Sequence, residues 1–268
     1  MRTLVHLSDL HFGRIDPSVI EPLRRAVLGA EPDLIAISGD FTQRAKRSEF
    51  RAARSFLDSL EPAKLVVPGN HDVPLWNAAA RFLMPLSRYR RYINPELEPE
   101  YEDEEVIALG VNTARSFTWG EGRINLGQVE RIVDRLRPID ASRIRVIVTH
   151  HPFDLPPGVD ERRLLGRARM AMAKLAEANA DLFLSGHLHL SHASHSAERY
   201  RIEGHSALIV QAGTVSLRGR GEQPSFNVLK MHRPEIALSR MAWDAPGGGF
   251  VETAVGRYRH TSSGWVGA

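Results

Sequence analysis

Asp181-Leu182-Phe183-Leu184-Ser185-Gly186-His187-Leu188-His189 joins an apolar run to two histidines one residue apart. A short apolar run closed by glycine reads as a strand buried on both faces. Working outward, the same grammar recurs four times. Thr3–Leu7 leads into Asp9-Leu10-His11, and Leu34–Ile37 into Gly39-Asp40. Lys64–Val67 leads into Gly69-Asn70-His71-Asp72, and Arg145–Val148 into Thr149-His150-His151-Pro152. Between the first three runs lie helical stretches. Asp16 caps one whose first turn holds Pro17, ended near Ala30 by Glu31-Pro32. Phe50, Ala53, Phe56, Leu57 and Leu60 give the next its helical spacing. Strand alternating with helix predicts an α/β chain built on a parallel sheet. Polar residues at the carboxyl ends of such strands gather along one sheet edge.

The alternation is interrupted over about residues 74–105. A basic helical stretch, 75–94, carries Arg81, Arg88, Arg90 and Arg91. Acidic residues 96–105 follow, read as an exposed loop or a counterweight to that helix. Val106–Val111, a helix over Gln128–Leu136, a helix over Arg162–Ala178 and the run at Asp181 resume the pattern. Beyond His195 the runs Tyr200–Ile202, Ala207–Gln211, Phe226–Met231, Ile236–Trp243 and Val251–Tyr258 predict antiparallel hairpins that complete a second sheet. One domain over residues 1–268, with an insertion at about 74–105, is expected.

Bulk properties exclude several classes. At 268 residues and 43% hydrophobic content, one core can fill the chain. A net charge of +3 is too small to argue for nucleic acid. The absence of cysteine rules out disulfides and thiolate metal sites. Neither a signal-peptide core nor a bilayer-length apolar run is visible, so a cytoplasmic location and no membrane partner are expected.

The residue types at the strand ends suit metal ions. Carboxylate, carboxamide and imidazole ligands fit Mn, Fe or Zn, and there are enough for two divalent or trivalent ions. Asp40, alone in its motif between the Asp9/His11 and His187/His189 pairs, is the candidate bridge. Asp9, His11 and His189 complete one site. Asn70, His187 and one histidine of His150-His151 complete the other. Two adjacent ions acidify a bridging water to a pKa of roughly 7 and cleave phosphate esters by in-line attack. His71 is not needed as a ligand, so it is assigned to the leaving oxygen, oriented by Asp72.

Asp9-Leu10-His11, Gly39-Asp40, Gly69-Asn70-His71-Asp72, Thr149-His150-His151-Pro152 and Gly186-His187-Leu188-His189 together resemble the signature of the calcineurin-like metallophosphoesterases, in order and spacing, over about residues 1–215. The resemblance implies a four-layer αββα sandwich of two mixed sheets. It also favours His150 over His151 as ligand. Within the family the chain is most similar to class III cyclic-nucleotide phosphodiesterases and related glycerophosphodiesterases. Thr42-Gln43-Arg44 departs from relatives that carry an acidic residue near Gln43.

The expected activity is hydrolysis of a small organic phosphodiester, with a 3′,5′-cyclic nucleotide among the candidates. Phosphomonoesterase, DNA exonuclease and non-catalytic scaffold are the alternatives. Nucleic acid is not expected as a partner, and homodimer formation is left open. His192 and His195 read as a solvated loop and His6 as a packed core residue. Arg88, Arg90 and Arg91 are weighed as a phosphate-gripping lid against a solvated face, and Arg115 as a residue approaching the cleft.

Overall fold

The computed structural model describes residues 1–75, 78–117, 120–219 and 221–268. Residues 76 and 77, within the predicted basic helical stretch, lie outside that set.

Strand β1 (Arg2–Leu7) pairs in parallel with β2 (Leu34–Ile37), and β2 with β3 (Ala63–Val66). Helices α1 (Pro17–Gly29) and α2 (Arg47–Asp58) make the crossovers. Asp16 caps α1 by accepting from Ser18 N at 2.9 Å, and Pro17 opens it, as the sequence predicts. The predicted basic helix is two short ones, α3 (Ala78–Leu83) and α4 (Ser87–Tyr92), interrupted at Pro85, which cannot continue a helix. The acidic stretch contains an unpredicted strand, β4 (Glu100–Glu102), antiparallel to β5 (Val106–Val111). Among the described residues, the ion pairs of its acids Glu98, Glu100 and Glu102 lie away from the basic helices. Glu98 pairs with Arg131, Glu100 and Glu102 with Arg135, and Glu102 with Arg143.

Strands β5, β6 (Ile144–Thr149), β7 (Leu182–Ser185) and β9 (Leu208–Gln211) run in parallel. An unpredicted edge strand, β8 (His192–His195), pairs antiparallel with β9. Helices α5 (Leu126–Leu136) and α6 (Ala168–Glu177) cover this sheet. Helix α6 starts later than the sequence predicts. Gly166 precedes Arg167, whose φ of 70° is left-handed and breaks the helix from the single turn at Glu161–Arg163. Tyr200, predicted to start a strand, ends helix α7 (Ser196–Tyr200).

The C-terminal hairpins do not complete the second sheet as predicted. Strand β10 (Ser225–His232) pairs antiparallel with β1, so β10, β11 (Glu235–Asp244), β12 (Gly249–Thr261) and β13 (Gly264–Gly267) extend the first. The sheet orders are β13-β12-β11-β10-β1-β2-β3 and β4-β5-β6-β7-β9-β8. Strand β10 suits its central place because both its faces are apolar. Phe226 and Val228 face one core, Leu229 and Met231 another.

Three apolar cores define four layers. Val5 and Ile35 pack with Leu23, Val27, Phe50 and Ala53 of α1 and α2. Leu4, Ala36 and Leu65 meet Val106, Val146 and Leu182 between the sheets. Ile107, Ile147 and Phe183 pack on α5 and α6. Alternate residues of one strand, such as Leu4 and Val5, thus serve opposite cores. Each full burial of such a side chain contributes roughly 1.5–3 kcal/mol. The result is the αββα sandwich of two mixed sheets.

Candidate metal centre

All seven expected ligands meet where the two sheets present their strand ends. Asp9 and His11 follow β1, Asp40 follows β2, and Asn70 follows β3. His150 follows β6, and His187 and His189 follow β7. The set therefore straddles both sheets rather than the single edge read from the sequence. Backbone pairing continues past the strands and holds the loops in register. Asp9 N donates to Gly39 O at 3.1 Å, His11 N to Asp40 O at 2.9 Å, and Gly186 N to His150 O at 3.1 Å. Asp9, His11, Asp40, His187 and His189 all have positive φ, between 43° and 71°. Left-handed backbone costs a non-glycine residue about 1–2 kcal/mol, and such strain concentrates at functional sites.

Tautomers follow from what each ring faces, because a carbonyl only accepts. His11 Nδ1 faces Thr42 O at 3.3 Å and His189 Nδ1 faces Arg218 O at 3.0 Å, so both carry hydrogen at Nδ1. Their bare Nε2 atoms then confront each other at 3.1 Å. Asp9 Oδ1 lies 3.1 Å from His189 Nε2 and 3.5 Å from His11 Nε2. That oxygen is buried without a hydrogen bond, while Asp9 Oδ2 accepts from Ser8 Oγ and His187 N. Lone pairs converge here, with Arg218 Nη1 as a neighbouring donor 3.4 Å from His11 Nε2.

A second set adjoins it. His150 Nδ1 donates to Ser38 O at 2.8 Å, so the neutral ring keeps Nε2 bare. That Nε2 lies 3.0 Å from Asn70 Oδ1 and 3.3 Å from His187 Nδ1. Asp40 Oδ2 serves both sets, 3.6 Å from His11 Nε2 and 3.4 Å from His150 Nε2. Its other oxygen accepts from His71 N at 2.8 Å. Lone pairs forced together in a buried space repel one another unless cations lie among them. The donors are the oxygen and imidazole types that hold Mn, Fe and Zn, so the residues fit two cations.

Electrostatics point the same way. Burial disfavours a charge on Asp9, but His189 and its neighbours outweigh it and hold the carboxylate well below the usual range. Burial also opposes a charge on His150, yet Asp40 overrides it and lifts the imidazole to about 9. A centre this negative draws positive charge, as protons or as metal ions.

His71 stands beside these sets. Its Nδ1 donates to Gln43 O at 2.8 Å, and its ring packs edge-on to His11 with centroids 4.9 Å apart. Asp72 does not orient it, contrary to expectation. The Asp72 carboxylate accepts instead from Phe41 N, Thr42 N, Thr42 Oγ1 and Gly69 N. It thus ties the loop after β2 to the loop after β3. Orientation of His71 falls to the Gln43 carbonyl, on a loop held by Glu49, whose Oε2 accepts from Arg44 N and Lys46 N.

His151 is buried within the group formed with His150 and His187. Its Nδ1 bonds Thr113 Oγ1 at 2.8 Å. His192 and His195 lie on strand β8 rather than in a loop. His192 faces Asp154 at 3.6 Å, and His195 packs against Tyr258. Arg88 and Arg90 donate to the carbonyls of Ala45 and Pro95, so both are tied to backbone. Arg115 bonds Gln128 on α5. His6 is fully buried, as expected of a core residue.

A profile of the calcineurin-like phosphoesterases matches residues 2–191. The chain belongs to the calcineurin-like phosphoesterase family. Glycerophosphodiester phosphodiesterase GpdQ of Enterobacter lignolyticus is 34% identical over 26% of this chain and 29% of its own. The match therefore spans under a third of that relative. A dimetal phosphatase from Danio rerio superposes with TM-score 0.67 at 12% identity, covering 94% of this chain and 98% of its own. Purple acid phosphatase PPD1 from yellow lupin (Lupinus luteus) seeds gives TM-score 0.68 at 10% identity, over 95% of this chain and 53% of its own. At such identities both show a shared fold. Among the described residues, no helix of this calcineurin-like phosphoesterase is long and apolar enough to cross a membrane.

Sequence reasoning missed two contributors, the Gln43 carbonyl and Arg218, and weighed Gln211-Ala212-Gly213-Thr214 as either backbone passing close to the site or an ordinary turn. The close approach is the outcome, since Thr214 Oγ1 donates to Asp9 O at 2.7 Å. The Gln43 carbonyl carries no side-chain signal. Arg218 Nη1 lies 2.9 Å from His71 Nε2, and Ser216-Leu217-Arg218-Gly219 carries no motif that points to the site.

Proposed function

We propose that this chain is a dinuclear metal-dependent phosphodiesterase acting on a small organic phosphodiester, with 3′,5′-cyclic nucleotides among the candidates. Asp9, His11 and His189 would hold one cation and Asn70, His150 and His187 the other, with Asp40 shared. The observation that carries the reading is Asp40 Oδ2, within 3.6 Å of a bare imidazole nitrogen in each of two lone-pair clusters. Mn, Fe and Zn all suit the donors. When bound, two such cations draw charge from the phosphoryl oxygens and acidify a water.

The chain's own groups do the rest. The Ser8 hydroxyl and the His187 amide hold Asp9 Oδ2, so that Oδ1 turns inward. The Ser38 and Thr42 carbonyls hold His150 and His11 in the tautomers that keep Nε2 free. His71, fixed through Nδ1, presents Nε2 to protonate the leaving oxygen or steady its charge. The match to a glycerophosphodiester phosphodiesterase, though short, supports a diester.

Bis(p-nitrophenyl) phosphate and p-nitrophenyl phosphate, assayed with added Mn, Fe or Zn, test the proposal. The diester should turn over faster. His71→Ala should lower kcat by about 10²–10⁴ and leave metal content unchanged. No hydrolysis with any metal refutes the proposal, and a faster monoester reassigns the enzyme as a phosphomonoesterase.

A further inference from the structure

Arg218 enters the centre from a loop that none of the five motifs marks. Its backbone is held firmly. Arg218 N donates to Ser216 Oγ, whose own amide donates to Thr214 Oγ1. Leu217 N donates to Arg14 O at 3.0 Å, and the Arg218 carbonyl accepts from His189 Nδ1. The side chain then reaches across the first lone-pair cluster. Its Nη1 lies 2.9 Å from His71 Nε2 and 3.4 Å from His11 Nε2.

Several other arginines of this chain end on carboxylates or carbonyls, and Arg233, which lies 2.8 Å from His260 Nε2, has a carboxylate partner as well. Arg199 binds Asp154 and Glu161, Arg233 binds Asp181, and Arg88 binds Ala45 O. Arg218 meets no carboxylate among the described residues. Among the described residues its cationic end touches two imidazole nitrogens, both with other uses. His11 Nε2 belongs to the cation cluster, and His71 Nε2 faces the leaving oxygen. Nε and Nη2 make no hydrogen bond among the described residues. A planar guanidinium with unused donors beside such a centre matches the oxygens of a phosphate ester.

The geometry points to Arg218 as the group that grips a non-bridging oxygen of the bound phosphate ester, an inference that rests on the two-cation phosphodiesterase reading. As the guanidinium turns onto the phosphate it gives up His71 Nε2. That nitrogen is then free for the leaving oxygen. No bond is made or broken in this exchange of hydrogen-bond partners.

The test compares Mn-loaded wild type with Arg218→Ala and Arg218→Lys, using inorganic phosphate as probe, calorimetry for affinity and elemental analysis for metal. Both variants should keep the wild-type metal content, since the contact to His189 is through the backbone. Phosphate affinity should fall by about tenfold to a hundredfold in Arg218→Ala and by less in Arg218→Lys, which keeps charge without the fork. An affinity for Arg218→Ala within twofold of wild type overturns the inference, even if kcat falls, because the arginine then only positions His71. Loss of metal from Arg218→Ala overturns it too, as does a wild type that binds no phosphate at millimolar concentration. If wild type binds phosphate but cleaves no diester, the diesterase reading fails, while the affinity ratio still decides the role of Arg218.

Discussion

At the residue scale, the histidines divide by what their Nδ1 does. Those that donate Nδ1–H to a backbone carbonyl, His11, His71, His150 and His189, turn Nε2 toward the centre. His6 differs. It is fully buried in β1, with Nε2 on Ser38 Oγ at 2.9 Å and Nδ1 without a partner. Burial pushes its imidazole down to about 3. In the unfolded chain it titrates near 6.5. Below that pH the unfolded state takes up a proton that the folded state refuses, so stability falls as pH drops from 6.5 toward 3. The contribution is about 2 kcal/mol at pH 5. Urea denaturation at pH 7 and pH 5 should show His6→Gln losing about 2 kcal/mol less than wild type over that interval. Equal losses would mean that His6 takes up its proton without unfolding.

At the element scale, the centre depends on loops that pass closer than side chains allow. A Cβ on Gly186 would sit 1.7 Å from Ser8 Oγ and 2.4 Å from Asp9 Oδ2. Gly186→Ala must therefore part the loops after β1 and β7, one carrying Asp9 and His11 and the other His187 and His189. It should cost about 1–3 kcal/mol of stability and lower bound metal. Gly29→Ala, at the end of α1 with open space around it, should keep full metal content in the same elemental assay. A Gly186→Ala protein with wild-type metal would contradict this account. Such loops also mark where the sequence was legible. Apolar runs ending in Asp, Asn or His announced β1, β2, β3, β6 and β7 and their ligands, because strand burial and side-chain chemistry are both written in residue type. Placement of β10 beside β1 was not legible, since partner choice is a long-range decision between equally apolar edges. Nor was the Gln43 carbonyl, because every residue has one. Short strand β4 was hidden by its acids, which pair with Arg135 and Arg143 across the surface.

At the scale of the whole molecule, the centre is a joint between sheets. Sheet one supplies Asp9, His11, Asp40 and Asn70, and sheet two supplies His150, His187 and His189. The apolar core between the sheets sets their spacing, and the strand ends turn that spacing into two adjoining lone-pair clusters around Asp40. The account's central claim is that two cations occupy them. Anomalous diffraction from crystals of Mn-loaded protein tests it most directly. Two peaks flanking Asp40 Oδ2 are predicted, one against Asp9, His11 and His189 and the other against Asn70, His150 and His187. A single peak, or a second peak held by His151 in place of His150, would contradict it.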